Sequence, residues 1–452
     1  MNIVVAGLGK VGLEVVEQLS SEGHSVTVID TDAKKVDSAL GLHDIGGVVG
    51  SATDFRVLLE ANISEADLLI AFTGNDEINL MACLLSKKLG AKSTIARARN
   101  PEYREGIYIV RDDLGLSMCI NPEMETAREI ARILRFPLAK NVEPFAKGKV
   151  EMIQYVLKDS DPLCGRTVNS VFSRLKNPVL VCAVLREDRV IIPYGDFIFS
   201  DGDELFLVSS PDRLSAFFRE VGIRTTTVRD IIIIGGGRTS YYLAEQLRKE
   251  RLNITIIEIN KGVAEEISDL LPNVNVINGD GTDQQILAEE GLRDKDALCC
   301  MTGIDEENII ASMYANSVCE DIKTITKVSR SELTYLGRSL GLDSIVTPKK
   351  IAANLILQYV RAKQNSEGSN VLTLYKLADG KAEALELMVT EESSLVGITL
   401  KDLSISNDVI LAGINRKGKI IIPRGSDALE AGDTVIVVTT RMGLDNLEDI
   451  TE

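Results

Sequence analysis

Val4-Val5-Ala6-Gly7-Leu8-Gly9-Lys10-Val11-Gly12 is an apolar run that breaks into glycines at the spacing Gly-x-Gly-x-x-Gly. Between a strand and a helix, that spacing suits the phosphates of a dinucleotide. Gly7 permits a tight strand-to-helix turn, Gly9 lets the backbone approach a phosphate, and Gly12 permits close packing of the helix on the strand. The helix N-terminus adds free N–H groups and a partial positive charge, with Leu8, Lys10 and Val11 lining the turn. Asp30 ends the next apolar run, where a carboxylate accepts hydrogen bonds from an adenosine ribose and disfavours a 2′-phosphate. The combination selects NAD(H), with ATP/ADP as the other candidate, over NADP. The competing readings are a glycine turn without a ligand and, for Asp30, a helix cap.

The same chemistry is written twice. Ile232-Ile233-Ile234-Gly235-Gly236-Gly237-Arg238-Thr239-Ser240 repeats the motif at an offset of 228 (235 − 7), and Glu258 answers to Asp30. Gly50-Ser51-Ala52-Thr53-Asp54 answers to Gly279-Asp280-Gly281-Thr282-Asp283, and Thr73-Gly74-Asn75-Asp76-Glu77 to Thr302-Gly303-Ile304-Asp305-Glu306. Two fingerprints in register, each with the same downstream marks, indicate a duplicated nucleotide-binding unit. The second copy keeps Gly235, Gly237, Arg238 and Glu258 but has Ser240 in place of the third glycine; Lys10 and Arg238, at equivalent points of the turn, read either as phosphate contacts or as solvated side chains.

Further candidates fall at the carboxyl ends of strands, where open α/β sheets bind ligands. Ser51, Ala52, Thr53 and Asp54, with Asp280 and Gly281, follow the third strand beside the expected adenine. Thr73-Gly74 and Thr302-Gly303 follow the fourth. Arg97 and Lys327 follow the fifth, and Arg97 pairs either with a phosphate or in a surface ion pair.

These residues require alternating strands and helices. Apolar runs at 2–6, 25–29, 48–49, 68–72 and 94–96 read as strands, with a helix at 11–19 that puts Leu13, Val16 and Leu19 on one face and another at 78–89. The pattern is a parallel doubly wound sheet, repeated from 231 to about 348. Residues 136–228 and 363–452 are instead short β runs between turns, and they match each other. Leu163-Cys164-Gly165-Arg166-Thr167 pairs with Leu395-Val396-Gly397-Ile398-Thr399, and Ile191-Ile192-Pro193-Tyr194-Gly195 with Ile421-Ile422-Pro423-Arg424-Gly425. The expected fold is α/β: two Rossmann-like sheets, each followed by a small α+β module. The expected domains are 1–136, 137–228, 229–362 and 363–452, with linkers at Pro137, Pro144 and 364–369.

Composition narrows the function classes. A net charge of −17 argues against nucleic acid and against direct adsorption to an anionic membrane. The seven cysteines include no Cys-x-x-Cys pair, which reads as mostly buried thiols in a reducing cytoplasm. No apolar run approaches the ~18–20 residues of a membrane span. His24 and His43 are the two histidines, and both are expected at the amino-terminal edge of the sheet, away from the ligand. No other group reads as a proton relay beside a nicotinamide, so no catalytic residue is assigned. No metal site is assigned either; Asp201, Asp203 and Glu204 read as a turn.

On the duplication, Gly7–Gly12, Asp30, the Gly50–Asp54 segment and the Ile-Pro-x-Gly turns, the whole chain resembles the RCK (also called KTN) regulatory proteins of potassium transport. The resemblance implies tandem RCK units in a homo-oligomeric ring, a dimer or tetramer. It implies nucleotide-controlled gating by NAD(H) and ATP/ADP of a membrane potassium-translocating subunit of the TrkH type. The protein would then be cytoplasmic and peripheral on the inner face of the membrane through that partner. An NAD-dependent oxidoreductase and a nucleotide sensor with a non-channel partner are the alternatives.

Overall fold

The computed structural model describes all residues except 174, 177–178, 224–227, 251, 343, 365–369, 445 and 452. In chain order, the first lobe has strands β1 (Asn2–Ala6), β2 (Ser25–Asp30), β3 (Gly46–Val49), β4 (Leu68–Ala71), β5 (Thr94–Arg97) and β6 (Met118–Ile120). Its helices are α1 (Lys10–Ser21), α2 (Ala33–Leu42), α3 (Phe55–Glu60), α4 (Asp76–Leu89), α5 (Tyr103–Val110) and α6 (Pro122–Arg135). The sheet is parallel in the order β3-β2-β1-β4-β5-β6, with Val4 level with Thr27 and Leu69. Val4, Val5 and Ala6 are all buried, as a strand covered on both faces requires. Strand order reverses between β1 and β4, which opens a crevice at their carboxyl ends.

The first module carries β7 (Ala139–Phe145), β8 (Val150–Val156), α7 (Val168–Phe172), β9 (Leu180–Arg186), β10 (Arg189–Ile191), β11 (Glu204–Ser209) and α8 (Pro211–Glu220). Its sheet is antiparallel, in the order β10-β9-β11-β8-β7.

The second lobe repeats the first: β12 (Asp230–Ile234), α9 (Arg238–Leu247), β13 (Asn253–Glu258), α10 (Lys261–Leu270), β14 (Asn275–Asn278), α11 (Gln284–Glu289), β15 (Ala297–Cys300), α12 (Asp305–Val318), β16 (Lys323–Lys327), α13 (Ser331–Ser339), β17 (Ser344–Val346) and α14 (Pro348–Gln364). The order β14-β13-β12-β15-β16-β17 is that of the first sheet. The second module has β18 (Val371–Leu377), β19 (Ala382–Met388), β20 (Val409–Arg416), β21 (Lys419–Ile421) and β22 (Thr434–Thr439), in the order β18-β19-β22-β20-β21.

Contacts gather the chain into two compact units, Met1–Ile130 with Ile231–Leu357 and Ala131–Asp230 with Gln358–Glu452. In the second of these, the two modules share one core. Phe145, Cys182, Phe206 and Val208 pack with Tyr375, Ala384, Ala412, Ile436 and Val438. The Phe145 and Tyr375 rings meet edge to face at 5.1 Å, and the Tyr375 hydroxyl donates to the Pro144 carbonyl at 3.0 Å.

Three readings need correction. Leu13 is 38% exposed, and α1 buries Gly12, Val15, Val16 and Leu19 instead. Pro144 is not a linker: it lies within β7, opposite Glu151. A sixth strand closes each parallel sheet, too short and too mixed in composition to be read from Met118-Cys119-Ile120. Pro137 does fall in the turn between α6 and β7, while residues 365–369 of the expected 364–369 linker lie outside the described residues.

Candidate nucleotide sites

The first glycine turn is sterically committed. A Cβ on Gly7 would lie 2.6 Å from the Phe72 carbonyl oxygen, and its φ is +101°, so the position accepts glycine alone. A Cβ on Gly12 would lie 1.9 Å from the Gly7 carbonyl oxygen, so α1 sits directly on the turn. A Cβ on Gly9 would meet nothing within 4 Å. That open side is where a phosphate has room to approach.

Asp30 is tied to this turn. One carboxylate oxygen accepts from the Leu8 N–H at 2.6 Å and the other from the Asp32 N–H at 2.9 Å. It does not cap a helix: Asp32 caps α2, accepting from Lys34 N–H at 3.0 Å. The second lobe reproduces the arrangement, with Glu258 accepting from Gly236 N–H at 2.5 Å and Asn260 N–H at 2.7 Å. The longer glutamate spans the same gap. Ser240, in place of the third glycine, donates its hydroxyl to the Gly235 carbonyl at 2.5 Å and is fully buried, so the helix still closes on the turn. Gly237 has the same open space as Gly9.

The segments after the third strand serve mainly their own backbone. The Ser51 and Thr53 hydroxyls bond each other at 2.8 Å, and Ala52 is in the core beside Ala6 and Ile29. Asp54 caps α3, accepting from Arg56 N–H at 2.9 Å. Asp280 accepts from the Thr282 N–H and hydroxyl, which hold its carboxyl below the usual range. Gly281 packs against Ile234, where a Cβ would come within 2.3 Å.

The loops after the fourth strand rest on a residue pair the motif reading passed over. Asn79 on α4 is fully buried; its Oδ1 accepts from the Thr73 N–H at 2.8 Å and hydroxyl at 2.7 Å, and its Nδ2 donates to the Arg97 carbonyl at 3.0 Å. Asn308 on α12 does the same for the Thr302 N–H at 2.8 Å and the Lys327 carbonyl at 2.9 Å. Asp76 and Asp305 fix the next turn, accepting from the N–H groups of Arg99 and Asn100 and of Ser329 and Arg330. The signal was present: aspartate and asparagine recur three residues apart after both Thr-Gly pairs.

Arg97 and Lys327 turn inward, so Arg97 is no surface ion pair. Its guanidinium donates to the Thr73 carbonyl, and its buried Nε has no partner. Burial pushes its pKa down, and the Arg99 and Arg238 charges add to the effect. Lys327 donates to the Met301 carbonyl at 2.9 Å. Burial lowers its pKa too, with the Lys10 charge adding and Asp305 and Glu123 opposing. The basic residue of each glycine turn therefore lies within electrostatic reach of the basic residue that ends the fifth strand of the other lobe. Inward cations beside two open glycine turns fit an anionic, phosphate-bearing ligand.

His24 and His43 precede β2 and β3, at the opposite end of the strands from this crevice. Asp203 is held by Arg186 in the first module at 2.6 Å, a structural ion pair repeated by Arg416 and Asp433 at 2.7 Å in the second. Among the described residues, no cluster of His, Cys, Asp or Glu could hold a metal ion, and no helix is long and apolar enough to cross a membrane.

Comparison with known proteins agrees in both sequence and shape. Residues 3–122 and 231–348 match the TrkA-N domain family, and residues 152–222 and 384–451 the TrkA-C domain family. A Trk system potassium uptake protein TrkA homolog of Methanosarcina mazei is 31% identical over 99% of both chains. The Trk system potassium uptake protein TrkA of Halomonas elongata is 29% identical over 97% of this chain and 95% of its own. The GsuK channel bound to NAD superposes with a TM-score of 0.65 at 18% identity, covering 97% of this chain and 76% of that one.

Proposed function

Because the chain belongs to the TrkA family, whose members are potassium-uptake proteins rather than enzymes, we propose that it is the nucleotide-binding regulatory subunit of a membrane potassium transporter or channel. In this reading NAD(H) is the ligand, with ATP/ADP competing for the same crevices. Gly7–Gly12 and Asp30 hold one nucleotide; Gly235, Gly237, Arg238 and Glu258 hold the other. The four domains are 1–136, 137–228, 229–362 and 363–452. The partner is a TrkH-type potassium-translocating subunit, under which the chain forms a homo-oligomeric ring at the inner face of the membrane.

The observation that carries the reading is the pair of inward cations, Arg97 and Lys327, on which the like charges of Arg238 and Lys10, exposed at the two open turns, also act. Without an anion the set is self-repelling. A bound nucleotide supplies negative phosphate charge. Lys10 and Lys327 would hold phosphates at the first turn, and Arg238 and Arg97 at the second. Each ligand thereby favours the arrangement that keeps both cations on it. Only a difference in affinity between arrangements can drive a partner. ATP and ADP differ by one phosphate, and NADH and NAD⁺ by the nicotinamide charge, so each pair offers such a difference. Coupling of ~1–3 kcal/mol per site, multiplied over a ring, is enough to switch a pore.

The test is potassium flux in proteoliposomes holding the TrkH-type partner alone, with this protein, and with this protein plus NADH, NAD⁺, ATP or ADP. Flux should change when protein and nucleotide are both present. Flux indifferent to every addition, together with measured nucleotide binding, would favour a sensor with another partner.

A further inference from the structure

The two lobes of the first compact unit meet through unlike residues at related positions. Lys349, at the start of α14, lies 3.1 Å from Glu14 on α1, and both side chains are mostly buried. At the related place, the Tyr242 hydroxyl on α9 accepts from Asn121 Nδ2 at 2.9 Å and donates to the Arg99 carbonyl at 3.2 Å. The repeat makes these sites equivalent. Glu14 and Tyr242 are both the fifth residues of their helices, α1 and α9. Glu123 and Lys349 are both second, after Pro122 in α6 and Pro348 in α14. Glu123 lies on the same face: it is 3.8 Å from the guanidinium of Arg99, the residue whose carbonyl accepts from Tyr242 of the other lobe.

The repeat would also allow each lobe to pair with a second copy of itself. Two first lobes apposed through these faces would set Glu14 against Glu123 twice. Two second lobes would set Tyr242 against Lys349, with no like-charge contact. The basic pairs do not discriminate, because Lys10, Arg97, Arg238 and Lys327 are cationic in every combination. We propose that Glu14, Glu123 and Lys349 form a pairing code: the first lobe's face fits the second lobe and rejects a second copy of itself. Duplicated domains face this hazard in particular, because each lobe resembles the other's correct partner. Repulsion against the wrong partner is an economical way to specify the right one. Blocking one self-pair is sufficient, since each chain carries one lobe of each kind. Effective concentration then favours the lobe in the same chain.

The full-length protein tests this in two steps that need no nucleotide. Lys349→Glu sets Glu14 against a like charge in a mostly buried place. Amide exchange at the lobe contact, in α1 and the first turn of α14, should speed up about tenfold or more. Adding Glu14→Lys should restore the wild-type rate. In the second step, Lys349→Glu is combined with Glu123→Lys. This breaks the pairing within the chain and makes two first lobes complementary. Heavy and light isotope-labelled chains are mixed and treated with a zero-length carbodiimide cross-linker. Heavy–light links should form between Glu14 and the lysine introduced at position 123. Glu123→Lys alone, which carries the same reactive pair but keeps Lys349 on Glu14, should give no heavy–light link between positions 14 and 123. Unchanged exchange in Lys349→Glu, failure of Glu14→Lys to rescue it, or absence of those links in the redirected variant would each overturn the code.

Discussion

Replacing Asp30 separates ligand recognition from turn architecture. In the free protein its carboxylate accepts two backbone N–H groups, from Leu8 at 2.6 Å and Asp32 at 2.9 Å. Asp30→Ala removes both, at roughly 1.5–3 kcal/mol for each hydrogen bond to a charged group, so the turn itself is weakened. Binding loses only what the ribose adds beyond those bonds, about one more charge-assisted hydrogen bond, or ~10- to 100-fold in Kd. Turn damage alone would weaken every nucleotide equally. A ribose reader also repels a 2′-phosphate, so Asp30→Ala should weaken NADH more than NADPH and narrow the preference between them. The assay is calorimetric titration of both ligands into Asp30→Ala and its parent, each carrying Gly237→Asp to silence the second turn. An unchanged NADH affinity would refute the assignment. Equal losses for NADH and NADPH would reduce Asp30 to a turn residue.

Gly9→Asp should leave the melting temperature unchanged, because its Cβ enters open space, while abolishing one of two NADH sites; undiminished stoichiometry would contradict the site. Gly12→Ala should instead damage the fold, since its Cβ would press within 1.9 Å of the Gly7 carbonyl oxygen, and an unaltered melting curve would rule that contact out. Asn79→Ala should cost about 2–4 kcal/mol of stability, leaving buried groups of Thr73 and Arg97 without partners, as read by denaturant unfolding; a loss under ~1 kcal/mol would show that water replaces the amide. Lys327 has a depressed native pKa, so between that value and the ordinary 10.5 the unfolded chain binds more protons and stability rises with pH through the window. A phosphate beside Lys327 reverses the shift, so nucleotide binding at pH ~9.5 should take up protons, seen as a binding enthalpy that varies with buffer ionisation heat. Identical enthalpies in all buffers would place the phosphate elsewhere.

The sequence made the glycine turns, the carboxylates and the alternating strands legible because each is a local demand. Gly7 needs its positive φ whatever else the chain does, and β1 must be apolar because both its faces are covered. What escaped reading depends on distant partners. Asn79 looks like an ordinary polar helix residue until the end of β5 is placed beside it. Arg97 reads as either a phosphate partner or a surface ion pair, because nothing local reveals that it turns inward to the Thr73 carbonyl. The β6 triplet Met118-Cys119-Ile120 becomes a strand only by pairing with an existing edge, Ile95 to Arg97. Pro144 looked like punctuation, but it lacks only an N–H, and its carbonyl accepts from Tyr375.

The shared core of the two modules has a consequence for how the chain is made. Phe145, Cys182, Phe206 and Val208 are complete on the nascent chain long before Tyr375, Ala384, Ala412 and Val438 exist to cover them. Roughly 170 residues, the whole second lobe among them, separate Val208 from Tyr375, which takes about 10–30 s at ~5–20 residues per second. Throughout that interval the first sheet presents an oily face matched to a module not yet synthesised. On a crowded polysome, the matching module of a neighbouring, more advanced chain is already within reach. Translation speed across the second lobe, and any chaperone that shields the waiting face, therefore bear on whether each polypeptide closes on itself or tangles with the one ahead.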